Sequence, residues 1–166
     1  EGLTVVDLLR RAGIDIKTIS IKETTRIQTS HGITMLTDAI FAETDFADAD
    51  MLVLPGGMPG TLNLQKNKMV TDAIEYCVKN EKLVAAICAA PMILGDLGYL
   101  DGKNAVCFPG FEDSLTESNI LSDGVVRDGN FITAKGAGKA LEFGAAIVDY
   151  FSEPPKGERI LQKMQV

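Results

Sequence analysis

A cysteine stands where a short apolar segment of the sequence changes into a helical pattern. Cys88 follows LVAAI (83–87), which is typical of a buried strand, and precedes AAPMIL, which is typical of a helix start. A thiol at such a turn stands above the edge of a sheet. The positive amino end of the helix favours the thiolate, so we expect a lowered pKa and a nucleophilic Cys88. Cysteine also packs as a small hydrophobic residue, and that role stays open here.

A second unusual segment follows another apolar run. MLVL (51–54) ends abruptly in Pro55-Gly56-Gly57. Glycine lets backbone approach a neighbouring group closely, and a backbone N–H can then stabilise developing negative charge. We therefore expect the amides of Gly57 and Ala89 to form an oxyanion hole beside Cys88.

The other residues able to do chemistry have simpler interpretations. Cys77 and Cys107 lie in apolar patterns and are predicted to be packing residues. His31 is the single histidine, in a polar segment typical of a turn or surface. The glycine turn at 135–139 does not match the phosphate-loop pattern, and we expect it to cap the following helix.

Strand and helix patterns alternate along the chain. Apolar strands alternating with helices predict a doubly wound α/β sandwich with a mainly parallel sheet, in which reactive groups gather at the carboxyl ends of strands. Because the first pattern is helical, we expect a strand before Glu1. The predicted strands are 15–21, 51–54, 83–87 and 105–108, with a hairpin or an extended excursion in 26–36 and a hairpin in 125–134. Five helices are predicted. One ends at Gly13, three span about 69–80, 90–97 and 138–151, and a weaker one follows Pro155.

Composition narrows the class of protein. A chain of 166 residues is predicted to form one domain, 1–166. The net charge is -7 and no basic run occurs, which argues against nucleic-acid binding. No apolar stretch approaches the roughly 20 residues of a membrane span. The three separated cysteines lack a CxxC pair, which argues against a disulfide framework or structural zinc and favours a reducing, cytoplasmic location.

Five segments carry a resemblance to a known family. They are EGLTVVDLLRRAG (1–13), VLPGG (53–57), AAICAAP (85–91), FPGFE (108–112) and AKGAGKALEF (134–143). In this order they resemble the ThiJ/PfpI superfamily, most of all its DJ-one branch of protein deglycases and stress proteins. The resemblance covers essentially the whole chain. It implies a flavodoxin-like sandwich and a homodimer, with neither a cofactor nor a metal.

The resemblance also implies roles for individual residues. Cys88 matches the reactive cysteine at the nucleophile elbow, and Glu1 matches the glutamate that hydrogen-bonds the thiolate or its oxidised form. The amides of Gly57 and Ala89 match the oxyanion donors. Such proteins have a first strand and a loop before this glutamate, so the chain resembles one that has lost them.

Two functions are implied. One is a cofactor-independent glyoxalase or deglycase, acting on methylglyoxal-type 2-oxoaldehydes or on glycated protein. The other is a redox-sensing or stress-protective protein whose Cys88 is oxidised to the sulfinate. Phe108 stands where some members have histidine, and Ala89 where the protease-like branch has one, so peptidase activity is not expected. Catalysis would depend on Cys88 and Glu1.

Overall fold

The computed structural model describes residues 1–166. The helices are α1 (Gly2–Arg11), α2 (Gly60–Lys66), α3 (Lys68–Lys79), α4 (Pro91–Asp96), α5 (Ala140–Phe151) and α6 (Lys156–Lys163). The strands are β1 (Ile19–Ser20), β2 (Arg26–Gln28), β3 (Thr34–Leu36), β4 (Ala39–Ile40), β5 (Met51–Leu54), β6 (Leu83–Ile87), β7 (Asn104–Ala105), β8 (Asn119–Ile120), β9 (Val125–Asp128) and β10 (Phe131–Ala134).

The central sheet has the strand order β5-β6-β10-β9. β5 and β10 both run parallel to β6, whereas β9 is antiparallel to β10. Three further strand pairs stand outside it: β1 with β4, β2 with β3, and β7 with β8. The predicted α/β sandwich with a mainly parallel sheet is confirmed.

The two faces of β6 belong to different cores. Val84 and Ala86 pack in the cluster that includes α3 and α4, while Leu83, Ala85 and Ile87 pack in the cluster that includes α1 and α5. Side chains alternate across a strand, so a strand covered on both faces must be apolar throughout. This explains the uninterrupted LVAAI segment. It also means that helices on both sides hold the strand that leads to Cys88.

One predicted strand is much shorter than expected. The sequence predicts a strand over 105–108, but pairing ends within β7. The N–H of Val106 instead donates to the side-chain hydroxyl of buried Thr133 at 3.0 Å. The N–H of Phe108 donates to the carbonyl oxygen of Cys88 at 2.8 Å. The segment is thus held against the central sheet by single hydrogen bonds rather than by a strand ladder.

The strand expected over 15–21 is also shorter. Only β1 is regular, and Thr18, two residues before the end of that strand, bonds to a side chain as well as to backbone. The N–H and the hydroxyl of Thr18 both donate to Oδ2 of Asp38, at 2.8 and 2.7 Å. These bonds, helped by the nearby charge of Arg10, lower the pKa of Asp38. At Thr18 a carboxylate therefore takes the place of one backbone carbonyl acceptor.

The helix α2 was not predicted from the sequence. The segment that precedes it, PGGMPG, is rich in glycine and proline and is typical of a loop. The helices predicted for α1, α3, α4, α5 and α6 and the hairpins β2–β3 and β9–β10 are confirmed. None of the helices combines the length and the apolar character needed to cross a bilayer.

Candidate active site

Cys88 immediately follows the carboxyl end of β6 and has a left-handed backbone, with φ 66°. Its N–H donates to the carbonyl oxygen of Ala134 at 2.8 Å, and its own carbonyl oxygen accepts from the N–H of Phe108. An L-residue rarely adopts this conformation without support from its neighbours. The two hydrogen bonds supply that support and turn the side chain out of the sheet. The predicted elbow is present, and α4 begins after it at Pro91.

Glu1 lies beside Cys88 although 87 positions separate them in the sequence. Oε2 of Glu1 accepts a hydrogen bond from the N–H of Gly56 at 3.0 Å, and the same carboxylate lies close to the thiol of Cys88. A Cβ on Gly56 would lie 2.5 Å from the Cβ of Cys88 and 3.0 Å from Oε2 of Glu1. The first of these contacts is too short for any side chain and the second is tight, so the missing side chain of Gly56 leaves the space in which the two groups meet.

The amides predicted as oxyanion donors reach the cysteine. The backbone N–H groups of Gly57 and Ala89 both face the sulfur of Cys88 and lower the pKa of its thiol. Gly57 has φ 89°, which only glycine adopts readily. The site therefore contains a thiol, a carboxylate and two backbone donors. An oxygen on a carbon bonded to Sγ would form next to the same two amides.

The electrostatics of the thiol differ from the expectation. Burial raises the pKa of Cys88, and the charge of Glu1 and its hydrogen bond raise it further. The amides of Ala89 and Gly57 lower the pKa but do not outweigh these causes. The prediction of a lowered pKa was therefore wrong, because it considered the helix end and left out burial and the carboxylate.

The turn between β2 and β3 also reaches the site. The hydroxyl of Ser30 lies 2.6 Å from the position that a Cβ on Gly57 would occupy. His31 is the next residue, and it is exposed in the same turn. The sequence indicated only a turn here. A serine in a polar turn gives no signal that it lies against a reactive loop, so Ser30 was missed.

An aromatic side chain stands near the elbow. Phe108, whose N–H bonds to Cys88, leaves 46% of its surface exposed and packs edge-to-face with Phe111 at 6.5 Å. A Cβ on Gly136 would lie 3.1 Å from the ring of Phe108. The glycine turn at 135–139 thus makes room for this ring. It also leads into α5, as predicted.

The other two cysteines are buried as expected. Cys77 is 1% exposed on α3 and Cys107 is 3% exposed, whereas Cys88 is only half-buried. Burial raises the pKa of Cys77, and it raises that of Cys107 to about 11, with a smaller contribution from the charge of Glu112. Neither thiol is accessible or readily ionised near neutral pH.

Alkylation should therefore distinguish the three thiols. Limiting iodoacetamide at neutral pH is expected to label Cys88 at least about tenfold faster than Cys77 or Cys107, because only Cys88 is accessible to the reagent. Peptide mass spectrometry after short exposures measures this. Equal labelling of all three in the folded protein would remove the assignment of Cys88 as the nucleophile.

No group of three or more His, Cys, Asp or Glu side chains is placed to hold a metal ion. Every group expected from the sequence lies in the candidate site: the thiol of Cys88, the carboxylate of Glu1 and the amides of Gly57 and Ala89.

Comparisons with known proteins show which family the chain resembles. The model of the DJ-1/PfpI family matches residues 1–150. The chain is 32% identical to Protein DJ-1 homolog B of Arabidopsis thaliana over 151 residues, which are 90% of this chain and 34% of that protein. It is 28% identical to the glutathione-independent glyoxalase DJR-1.2 of Caenorhabditis elegans over 166 residues, covering 99% of this chain and 88% of that protein. The chain thus spans about a third of the Arabidopsis relative.

A fly relative matches in both sequence and structure. Protein dj-1beta of Drosophila melanogaster is 30% identical over 168 residues, covering 100% of this chain and 90% of that protein. Its crystal structure superposes with a TM-score of 0.93 over 99% of this chain and 90% of that one. This likeness confirms the flavodoxin-like sandwich, and with the family match it shows that the chain belongs to the DJ-1/PfpI family.

Proposed function

We propose that the chain is a cofactor-independent glyoxalase or deglycase. Its substrates are methylglyoxal-type 2-oxoaldehydes or their adducts with protein amines and thiols. One observation carries the proposal: the carboxylate of Glu1 and the thiol of Cys88 meet across Gly56, with two amides aimed at the sulfur. The similarity to a relative named as a glutathione-independent glyoxalase supports it.

The first step is addition of the thiol to the aldehyde. Sγ of Cys88 forms a bond to the aldehyde carbon, and the carbonyl double bond becomes a C–O single bond. The N–H groups of Gly57 and Ala89 stabilise the charge on that oxygen. When the proton lost by the thiol reaches the oxygen, the product is a hemithioacetal.

The second step moves a proton between neighbouring carbons. The carboxylate of Glu1 removes the proton from the carbon that bears sulfur and returns it to the adjacent keto carbon, while the hydroxyl proton of the hemithioacetal passes to the keto oxygen. The first carbon is thereby oxidised and the second reduced within one molecule, which gives a thioester of a 2-hydroxy acid. Water then cleaves the thioester and restores the thiol. The net reaction adds one water to methylglyoxal and yields lactate, without an external oxidant.

This route needs no imidazole. His31 is exposed in the β2–β3 turn, and the position that holds histidine in some relatives is Phe108. Glu1 is the acid–base group that the structure brings beside the thiol. An arrangement that lacks histidine beside the cysteine is unlike that of a cysteine peptidase.

A redox function is the second candidate. The same site favours it because oxygens on the sulfur of Cys88 could accept hydrogen bonds from the backbone N–H groups of Gly57 and Ala89. Peroxide would oxidise the thiolate in two steps, each adding one oxygen to sulfur and releasing water. The raised pKa of Cys88 slows this oxidation and also slows addition to an aldehyde, because the thiolate is the reactive form in both, so the pKa does not separate the two functions.

Two measurements on the same preparation separate the functions. We expect reduced protein to form lactate from methylglyoxal, and to lose this activity when Cys88 is alkylated. Intact mass after mild peroxide treatment tests the alternative. Gain of two oxygens on Cys88 by a protein that forms no lactate would favour the sensor and contradict the enzyme. A parallel assay with glycated peptide decides between free aldehyde and adduct.

The homodimer implied by the family resemblance remains a proposal. Large apolar side chains are exposed on α1, at Leu3, and on the β2–β3 hairpin, at Ile33 and Leu36. Exposed apolar side chains of this size are suited to burial against a second copy. Sedimentation velocity measures the assembly directly.

A further inference from the structure

The loop that carries Gly57 is fixed from two directions. On one side, Glu1 accepts the N–H of Gly56. On the other, the carbonyl oxygen of Gly57 accepts two hydrogen bonds from Thr61, from its N–H at 2.8 Å and from its hydroxyl at 3.1 Å. Two adjacent glycines have wide conformational freedom when nothing restrains them. Contacts of this kind restrict them to one conformation.

Thr61 is itself firmly placed. It is fully buried in the first turn of α2, and no other buried polar side chain bonds to the glycine loop. The helix is tied to α4 by a 2.6 Å hydrogen bond from Gln65 to Asp96. A buried hydroxyl has a substantial desolvation cost unless it is hydrogen-bonded. Its bond to Gly57 is therefore strongly favoured over water, and this holds the loop relative to α4 and the elbow.

We propose that Thr61 is a positioning residue, whose hydroxyl holds Gly57 so that its amide N–H is aimed at the sulfur of Cys88 and at the oxyanion formed there. Thr61 acts only through Gly57 and does not contact the reacting atoms. The inference rests on the proposed function for its effect on turnover. The effect of Thr61 on the pKa of the Cys88 thiol depends only on the observed contacts.

The variant Thr61→Val removes the hydroxyl and keeps the side-chain shape. Because the amide of Gly57 lowers the pKa of Cys88, we expect the pH midpoint of Cys88 alkylation to move upward. We also expect kcat for methylglyoxal to fall about tenfold with little change in KM, since an oxyanion donor acts mainly in the transition state. Thr61→Ser keeps the hydroxyl and should restore both values.

Thr71→Val is the matched control. The hydroxyl of Thr71 also bonds to a backbone carbonyl three positions earlier, at 2.9 Å, but it lies on α3 away from the glycine loop. The variant Thr71→Val should leave the pH midpoint of Cys88 alkylation and kcat unchanged. If Thr61→Val does not fold, the pair Thr61→Ser and Thr61→Ala provides the same comparison of hydroxyl with no hydroxyl.

Three results would overturn the inference. They are an unchanged alkylation midpoint in folded Thr61→Val, an equal shift in Thr71→Val, and no recovery in Thr61→Ser. A shifted midpoint in a protein that forms no lactate would support the role of Thr61 while rejecting the proposed enzyme. Failure of the inference about Thr61 and failure of the proposed enzyme are thus distinguishable.

Discussion

Replacement of Cys88 by alanine is expected to lower the rate of lactate formation from methylglyoxal by more than about a thousandfold. The sulfur forms the covalent bond that holds the substrate between the two amides and beside Glu1, and no other thiol can replace it. Cys77 and Cys107 are buried. The measurement is enzymatic detection of lactate under conditions in which the uncatalysed reaction has been subtracted.

Two controls make this result specific. Circular dichroism should show that Cys88→Ala is folded, since the substitution retains the backbone hydrogen bonds of the elbow. His31→Ala should keep a measurable rate, because His31 is an exposed turn residue. If His31→Ala is as inactive as Cys88→Ala, an essential base has been overlooked. If Cys88→Ala is active, the covalent mechanism must be abandoned.

Exchange of Glu1 for glutamine should separate reactivity from turnover. Glutamine has a similar shape but cannot accept a proton from carbon, so we expect kcat to fall by about a hundredfold or more. The reactivity of the Cys88 thiol should instead increase. The charge of Glu1 raises the pKa of Cys88, so its removal lowers that pKa and increases the thiolate fraction at pH 7. Burial remains the largest cause, and the pKa should therefore fall only in part.

The measurements are the lactate rate and the pH profile of Cys88 alkylation on the same protein. Faster alkylation at pH 7 with lost turnover is the expected combination. Glu112→Gln is the matched control, because that carboxylate also accepts a glycine N–H, from Gly110, but lies near Cys107. Wild-type turnover by Glu1→Gln would show that another group moves the proton. Slower alkylation would contradict the electrostatic account.

The sequence predicted those parts of the site that depend on local patterns. An apolar run followed by cysteine, and another followed by two glycines, were sufficient to predict two strand ends that meet at one edge of a parallel sheet. The partnership with Glu1 was predicted only from the family resemblance. Periodicity contains no information on contacts between residues so far apart in the chain, and Glu1 reaches the site through a hydrogen bond to Gly56.

The errors have a common physical origin. Thr133 and Asp38 supply hydrogen bonds that a neighbouring strand would otherwise make, so the strands beside them are shorter than their apolar patterns suggested. The direction of the Cys88 pKa was also decided by burial and by a distant charge. In each case a tertiary contact outweighed a correct local pattern. That residues 1–166 form one domain stays a prediction.

The left-handed backbone of Cys88 links activity to cooperative unfolding. That conformation costs about 1–2 kcal/mol relative to an ordinary one, and the bonds to Ala134 and Phe108 offset the cost. Ala134 belongs to β10, which pairs with the buried strand β6. The backbone conformation that turns the thiol out of the sheet is therefore coupled to the central sheet. In a denaturant titration, enzymatic inactivation and loss of secondary structure should follow one curve, whereas an active site on a mobile loop fails first.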